Sequence, residues 1–204
     1  IIVYYLAFNT EKTPFDDPQV RKALGLATDR EYLINTLYEG GGFFPATGGL
    51  LPPPMPGHME GIALPYDPAE ACRLLAKAGY PDGHGFPVLK ARSMEFEINK
   101  ILEAQWQKNL GIKVSWLELP NEKFHEQQGH KDLHLWLWGD WSRYPAPELL
   151  LDGPGLKKTG WFNEKYNELI RRASGMMDYE KRLDLYRQAE RILIEEVPVL
   201  PINY

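Results

Sequence analysis

Residues 88–116 read VLKARSMEFEINKILEAQWQKNLGIKVSW, and three patterns follow one another in this stretch. Residues 88–91 form a short β-prone run. Ile98, Leu102 and Trp106 then recur at helical spacing within residues 95–110, with Ile101 beside them, so one stripe of a helix is apolar. Gly111 ends that helix, because glycine accepts the left-handed backbone of a helix C-terminus. Ile112, Val114 and Trp116 alternate with Lys113 and Ser115, the pattern of a half-buried strand. A strand, a crossover helix and a second strand make the unit of an α/β fold, so the chain is expected to pack helices on a mixed sheet.

The flanking sequence extends this pattern in both directions. Asp67-Pro68 pairs an N-cap with a proline at the first helical position, and the helix runs through Ala71, Leu74, Leu75 and Ala78 to Gly79. Pro81-Asp82-Gly83 supplies turn chemistry after it. Asp17-Pro18 repeats the cap before Val20, Ala23, Leu24 and Ala27, and Asp29 caps a helix through Leu33, Ile34 and Leu37 that closes at Gly40. Residues 40–66, rich in glycine and holding Pro52-Pro53-Pro54, form a loop long enough to suggest function or mobility. Downstream, the pattern predicts a short helix over 121–128, a strand over 133–138 and an irregular stretch over 139–160. Asn163 caps a helix bearing Tyr166, Leu169 and Ile170, and Asp178 caps the longest helix, with Leu183, Tyr186, Ala189 and Leu193 as its stripe. Residues 3–8 and 197–204 are both strand-like and apolar. They are expected to lie side by side, as the entry and exit of a domain inserted in a larger chain.

Composition narrows the function. The net charge of −5 comes from interspersed acids and bases, which argues against a nucleic-acid surface. No run of 18 apolar residues is present that could span a membrane. Cys72 is the only cysteine, so no intrachain disulfide forms, and its apolar helical neighbours mark it as a small hydrophobe. His125-Glu126-Gln127-Gln128-Gly129-His130 misses the zinc-binding H-E-x-x-H spacing by one residue, and His134 falls in the next strand. No nucleophile elbow, P-loop or dinucleotide fingerprint occurs, and Gly40-Gly41-Gly42 lacks the lysine of a phosphate cradle. No catalytic residue, metal or cofactor is expected.

The strongest local signal is aromatic. Trp136, Trp138, Trp141 and Tyr144 surround Asp140 and Arg143. Trp136 and Trp138 share one strand face and serve equally as sheet core or as ligand contacts. Trp141, Arg143 and Tyr144, read as lying past the strand, are placed where α/β proteins put binding groups.

Several segments together resemble a known family. Phe15-Asp16-Asp17-Pro18-Gln19-Val20-Arg21-Lys22-Ala23-Leu24 and Ala27-Thr28-Asp29-Arg30-Glu31 are similar to the opening of the second lobe of family 5 extracellular solute-binding proteins, the peptide-binding receptors of ABC importers. So are Tyr66-Asp67-Pro68-Ala69-Glu70-Ala71 with Leu74 to Gly83, Gln105 to Val114, and the closing run of Tyr186, Ala189-Glu190, Leu193 and Pro198-Val199-Leu200-Pro201. The order and spacing of these segments, rather than any single motif, make the match specific.

The resemblance implies a periplasmic-binding-protein-like lobe, residues 1–204, inserted in the chain of a first lobe absent from this sequence. It implies capture of a peptide outside the cytoplasmic membrane by a monomeric receptor, secreted or membrane-anchored, that docks on permease subunits. An oligosaccharide receptor of the same fold is an alternative that six tryptophans keep open, and a hydrolase on a similar scaffold is a third. In the family, an Asp after the strand pairs with the peptide α-amino group. Two alignments compete for that position. One, continued from the strand, puts Asp140 there, beside Trp138 and Trp141. The other, continued back from Tyr144-Pro145, puts Arg143 there and favours an acidic or uncharged ligand.

Overall fold

The computed structural model describes residues 1–39, 41–93, 96–118 and 131–204. The order of elements is β1 (Ile2–Phe8), α1 (Pro18–Leu26), α2 (Arg30–Leu37), α3 (Pro68–Lys77), β2 (Leu89–Ser93), α4 (Phe96–Leu110), β3 (Val114–Glu118), β4 (Leu135–Trp141), the one-turn helices α5 (Glu148–Leu151) and α6 (Pro154–Lys157), α7 (Glu164–Ser174), α8 (Tyr179–Glu196) and β5 (Val199–Asn203). The strands form one mixed sheet in the order β3-β2-β4-β1-β5. β2 is parallel to β3 and β4, while β1 is antiparallel to β4 and β5. The first and last strands are therefore neighbours, with Tyr5 opposite Pro201 and Ala7 opposite Val199.

The period-two pleat sends alternate residues to two separate cores. On one face Leu6, Phe8, Leu89, Ala91, Leu135, Leu137, Leu200 and Ile202 pack against α1 to α4, including Ile98, Leu102 and Trp106. On the other, Val3, Tyr5, Ala7, Trp136 and Val199 pack against α5 to α8, including Leu183, Tyr186, Ala189 and Leu193. Covering both faces removes the sheet's apolar surface from water, the main drive for this layering.

Side-chain caps start the longer helices where the sequence marks them. Asp17, Asp29, Asp67, Asn163 and Asp178 each accept a hydrogen bond from a backbone N–H of the first turn. Each such cap contributes about 1 kcal/mol. Buried polar ties then orient α4. Trp106 Nε1 donates to Thr28 Oγ1 at 3.0 Å, and Asn109 Nδ2 donates to the Ala27 carbonyl at 3.0 Å. Cys72, half-buried against the first core, directs its thiol to the Asn109 carbonyl.

The long loop is largely built into the protein. Ala46, Leu50, Leu51 and Met55 are core residues of the second face. Near its start the loop pairs with the outer edge of β5, where Phe44 and Tyr204 exchange backbone hydrogen bonds and Ala46 donates to the Ile202 carbonyl. Gly40 and the helix predicted over 121–128 lie outside the described residues. The stretch 139–160 is not irregular throughout. β4 takes its first three residues, and α5 and α6 occupy part of the remainder, each starting at or next to a proline.

Gly111 and Gly83 press on each other's backbone where α4 meets the turn after α3. A Cβ on Gly111, at φ +69°, would lie 2.6 Å from the Asp82 carbonyl oxygen, whereas one on Gly79, at φ +97°, would meet nothing within 4 Å. Gly111→Ala is expected to cost about 2–4 kcal/mol, the backbone strain plus a clash, and Gly79→Ala about 1 kcal/mol. Urea unfolding of the two variants checks the difference; equal losses would show that the contact at Gly111 relaxes freely.

Candidate functional site

Because only β1 runs against the others, the C-terminal ends of β2, β3, β4 and β5 gather at one end of the sheet, with the start of β1 among them. Strand carboxyl ends are where open α/β sheets place ligands. The five candidate residues, Trp138, Asp140, Trp141, Arg143 and Tyr144, all come to this end, but not in the arrangement that the sequence pattern suggests.

The pattern ends the strand at residue 138 and makes Gly139 the turn. In the structure β4 continues to Trp141, paired through Tyr4 with Gly139, Val3 with Asp140 and Ile2 with Trp141. These partners belong to β1, so β4's own sequence cannot reveal the longer strand. Gly139 instead makes room for a ring: a Cβ there would lie 2.7 Å from Tyr4 Cε1. Trp141 is thus the last residue of the strand rather than part of a loop. Alternation also separates it from Asp140, which faces the second core with Trp136 and Trp138. Trp136 is fully buried core, while Trp138 is half-buried at its rim.

Asp140 is held by two donors. The Tyr5 hydroxyl donates to Oδ2 at 2.6 Å and Trp138 Nε1 donates to Oδ1 at 2.7 Å. Each oxygen accepts one of these bonds and carries two lone pairs, so the carboxylate is fixed in place and can still accept from a ligand. Burial, then the nearby Asp140 charge, pushes the Tyr5 hydroxyl well above its ordinary pKa, so it remains a donor at neutral pH. Gly155, in α6, is the reason the pair fits: a Cβ there would collide with the Tyr5 hydroxyl and stand 3.0 Å from Asp140 Oδ2. Lys158 Nζ lies 5.8 Å from the centroid of the Trp138 ring, adding a cation to the same rim. Tyr5, Gly155 and Lys158 carry no local motif. Tyr5 becomes visible only when β1 is paired with β4 in register.

The other side of the strand end is aromatic and open. Trp141 is 62% exposed and Tyr144 70% exposed. The Arg143 guanidinium stacks 5.2 Å from the Trp141 ring centroid, an attractive cation–π arrangement. Buried Ser142 fixes the turn that carries them: its N–H donates to the Ile1 carbonyl at 2.8 Å, and its hydroxyl donates to the Tyr144 carbonyl.

Among the described residues, no group of three His, Cys, Asp or Glu side chains is placed to hold a metal ion. His125 and His130 lie outside those residues. His134, just before β4 rather than in it, accepts the Lys90 N–H at Nδ1. Burial, with the charges of Lys12 and Lys90, lowers its pKa to about 4, so it is neutral at physiological pH. No described helix is long and apolar enough to cross a membrane.

Comparison with known proteins agrees with this fold. The model of the bacterial extracellular solute-binding proteins, family 5, middle region, matches residues 1–159. The chain belongs to this family. It is 32% identical to heme-binding protein A of Haemophilus influenzae over 99% of the chain and 39% of that protein. It is 31% identical to a dipeptide-binding protein of Pseudomonas aeruginosa over 98% of the chain and 40% of that protein. The dipeptide-binding protein of a Pseudoalteromonas species, solved with Met-Leu, superposes with a TM-score of 0.86 at 26% identity, over 100% of the chain and 42% of that structure. The chain therefore spans about two fifths of these relatives, each of which is a binding protein by name.

Tyr5→Phe removes one of the two donors that hold Asp140. The expected loss is about 1.5–3 kcal/mol, the usual worth of a hydrogen bond to a charged group. Urea unfolding of Tyr5→Phe beside the parent reads it, and an unchanged midpoint would show that the bond contributes nothing to folding.

Proposed function

We propose that this chain is the second lobe of a two-lobed receptor that captures peptides outside the cytoplasmic membrane and delivers them to an ABC permease. The observation that carries the reading is the Asp140 carboxylate, fixed by Tyr5 and Trp138 at the carboxyl end of the sheet with accepting capacity to spare. A peptide ammonium closed between two lobes loses its water and needs such a partner, or the desolvation cost is unmet. The match to peptide-binding relatives along the whole chain supports the same class of ligand. That those relatives are more than twice as long supports a missing first lobe.

Asp140 is the proposed ammonium anchor, with Trp138 as the wall beside it. Trp141, Arg143 and Tyr144 form the aromatic rim that meets ligand side chains or the first lobe. Side chains resting on such a rim are held by stacking and water rather than by specific bonds, which suits peptides of varied sequence. The receptor acts as a monomer, secreted or tethered to the membrane, and performs no catalysis; ATP is hydrolysed in another polypeptide.

In the full-length receptor, Asp140→Asn is expected to weaken peptide binding by about 2–5 kcal/mol, because the ammonium is left buried and unpaired. Arg143→Ala is expected to do much less. Calorimetric titration of both variants with a free-amine peptide and its N-acetylated form checks this. Undiminished affinity of Asp140→Asn for the free-amine peptide removes Asp140 from the anchor role. Mass spectrometry of what the parent protein retains from mixed peptides and oligosaccharides tests the ligand class.

A further inference from the structure

A second carboxylate is buried more deeply than Asp140 and has no place in the ligand site. Glu190 lies on the apolar face of α8, between the turns of Tyr186 and Leu193, and its exposure is 0%. Its Oε1 accepts the Leu51 N–H at 2.7 Å, and its Oε2 has no hydrogen-bond partner among the described residues. The loop is shaped around it. A Cβ on Gly49 would collide with the Glu190 carboxyl group, so the side chain fills the space that a larger residue at 49 would take. Around this contact the Tyr204 hydroxyl donates to the Gly49 carbonyl at 2.7 Å, and His58 Nδ1 lies 2.6 Å from the Leu51 carbonyl. Leu50, Leu51 and Met55 are thereby held in the second core.

We propose that Glu190 is a proton-operated latch: protonated, it holds loop residues 48–51 against α8 and β5, and ionised, it favours their release. The physical reason is the unmatched oxygen. A carboxylate in apolar surroundings with one oxygen unpaired is costly, and opening the loop lets water reach it. The groups around the carboxyl group are Tyr166 from α7, Tyr204 just past β5, the Leu50 and Leu51 amides from the loop and Arg191 on α8 itself, with His58 against the Leu51 carbonyl. Burial outweighs the amides and Arg191 and pushes Glu190 up to about 7. The folded pKa is raised, so closure is fully favoured below the ordinary carboxylate range and weakens as pH rises through about 7. The latch is independent of which ligand the receptor takes.

Hydrogen exchange of the full-length protein, corrected for intrinsic amide rates, tests it at pH ~6 and ~8.5. Protection of residues 47–58 is expected to fall by about tenfold at the higher pH, while that of α3 is unchanged. Glu190→Gln keeps an accepting oxygen and cannot ionise, so its protection should not vary with pH. His58→Gln should keep the parent's pH response. Equal protection of the parent at both values overturns the latch, as does a response that survives in Glu190→Gln or disappears in His58→Gln. Where Glu190→Gln does not fold, a carboxyl-carbon NMR titration of the parent replaces it: a Glu190 midpoint near pH ~7 supports the latch, and one in the ordinary range near ~4.5 overturns it.

Discussion

The pairing of β1 with β4 decides what the rest of the molecule can do. Side chains alternate along a strand, so this register assigns Trp136, Trp138 and Asp140 to the face under α7 and α8 and places Tyr5 among them. A slip of one residue would send Asp140 to the opposite face, with Trp138, and strip it of the Tyr5 hydroxyl. With helices over both faces, only the strand ends remain for chemistry. The end where four strands finish combines a held carboxylate, two half-open or exposed tryptophans and two cations stacked near indole rings.

Much of the scaffold is legible in the sequence because it is local. A cap needs one side chain and the next turn, and Asp17, Asp29, Asp67, Asn163 and Asp178 all cap as their positions suggest. The stripes of α4 and α8 are likewise set by spacing within each helix. What depends on a distant partner is not legible. The last three residues of β4 are strand because β1 lies beside them, although Gly139 breaks the apolar alternation. The short helices α5 and α6 escape because four residues show no helical period. At the candidate site, the aromatic cluster leads to the strand end, but Tyr5 and Gly155 come from 135 residues upstream and from a neighbouring helix that no spacing rule connects to Asp140.

Two buried arginines show how the helices are tied to their neighbours through backbone carbonyls. Arg21 donates to the carbonyls of Phe15, Glu196 and Val197, and Arg30 to those of Pro201 and Leu64. Burial lowers both guanidinium groups to about 10, which still leaves them charged at neutral pH. Arg21 thereby grips the end of α8 where Val197 takes a left-handed backbone, φ 51°, and redirects the chain into β5. The guanidinium fork suits this work because it satisfies several carbonyls from one rigid plane.

The segment that borders β5 has a consequence for how copies of the protein meet. An open sheet normally ends in a strand whose outward N–H and C=O groups can template a strand of another molecule. Here Phe44 and Ala46 turn their hydrogen bonds inward to Tyr204 and Ile202, leaving Pro45 as the outward-facing residue between them. Proline has no N–H to offer, and its carbonyl is already taken by the Thr47 N–H at 3.0 Å. The donor that a visiting strand would need is absent and the acceptor is already engaged. One imino acid and one turn thus make this flank of the sheet a poor template for fibril-like growth, without a charged gatekeeper.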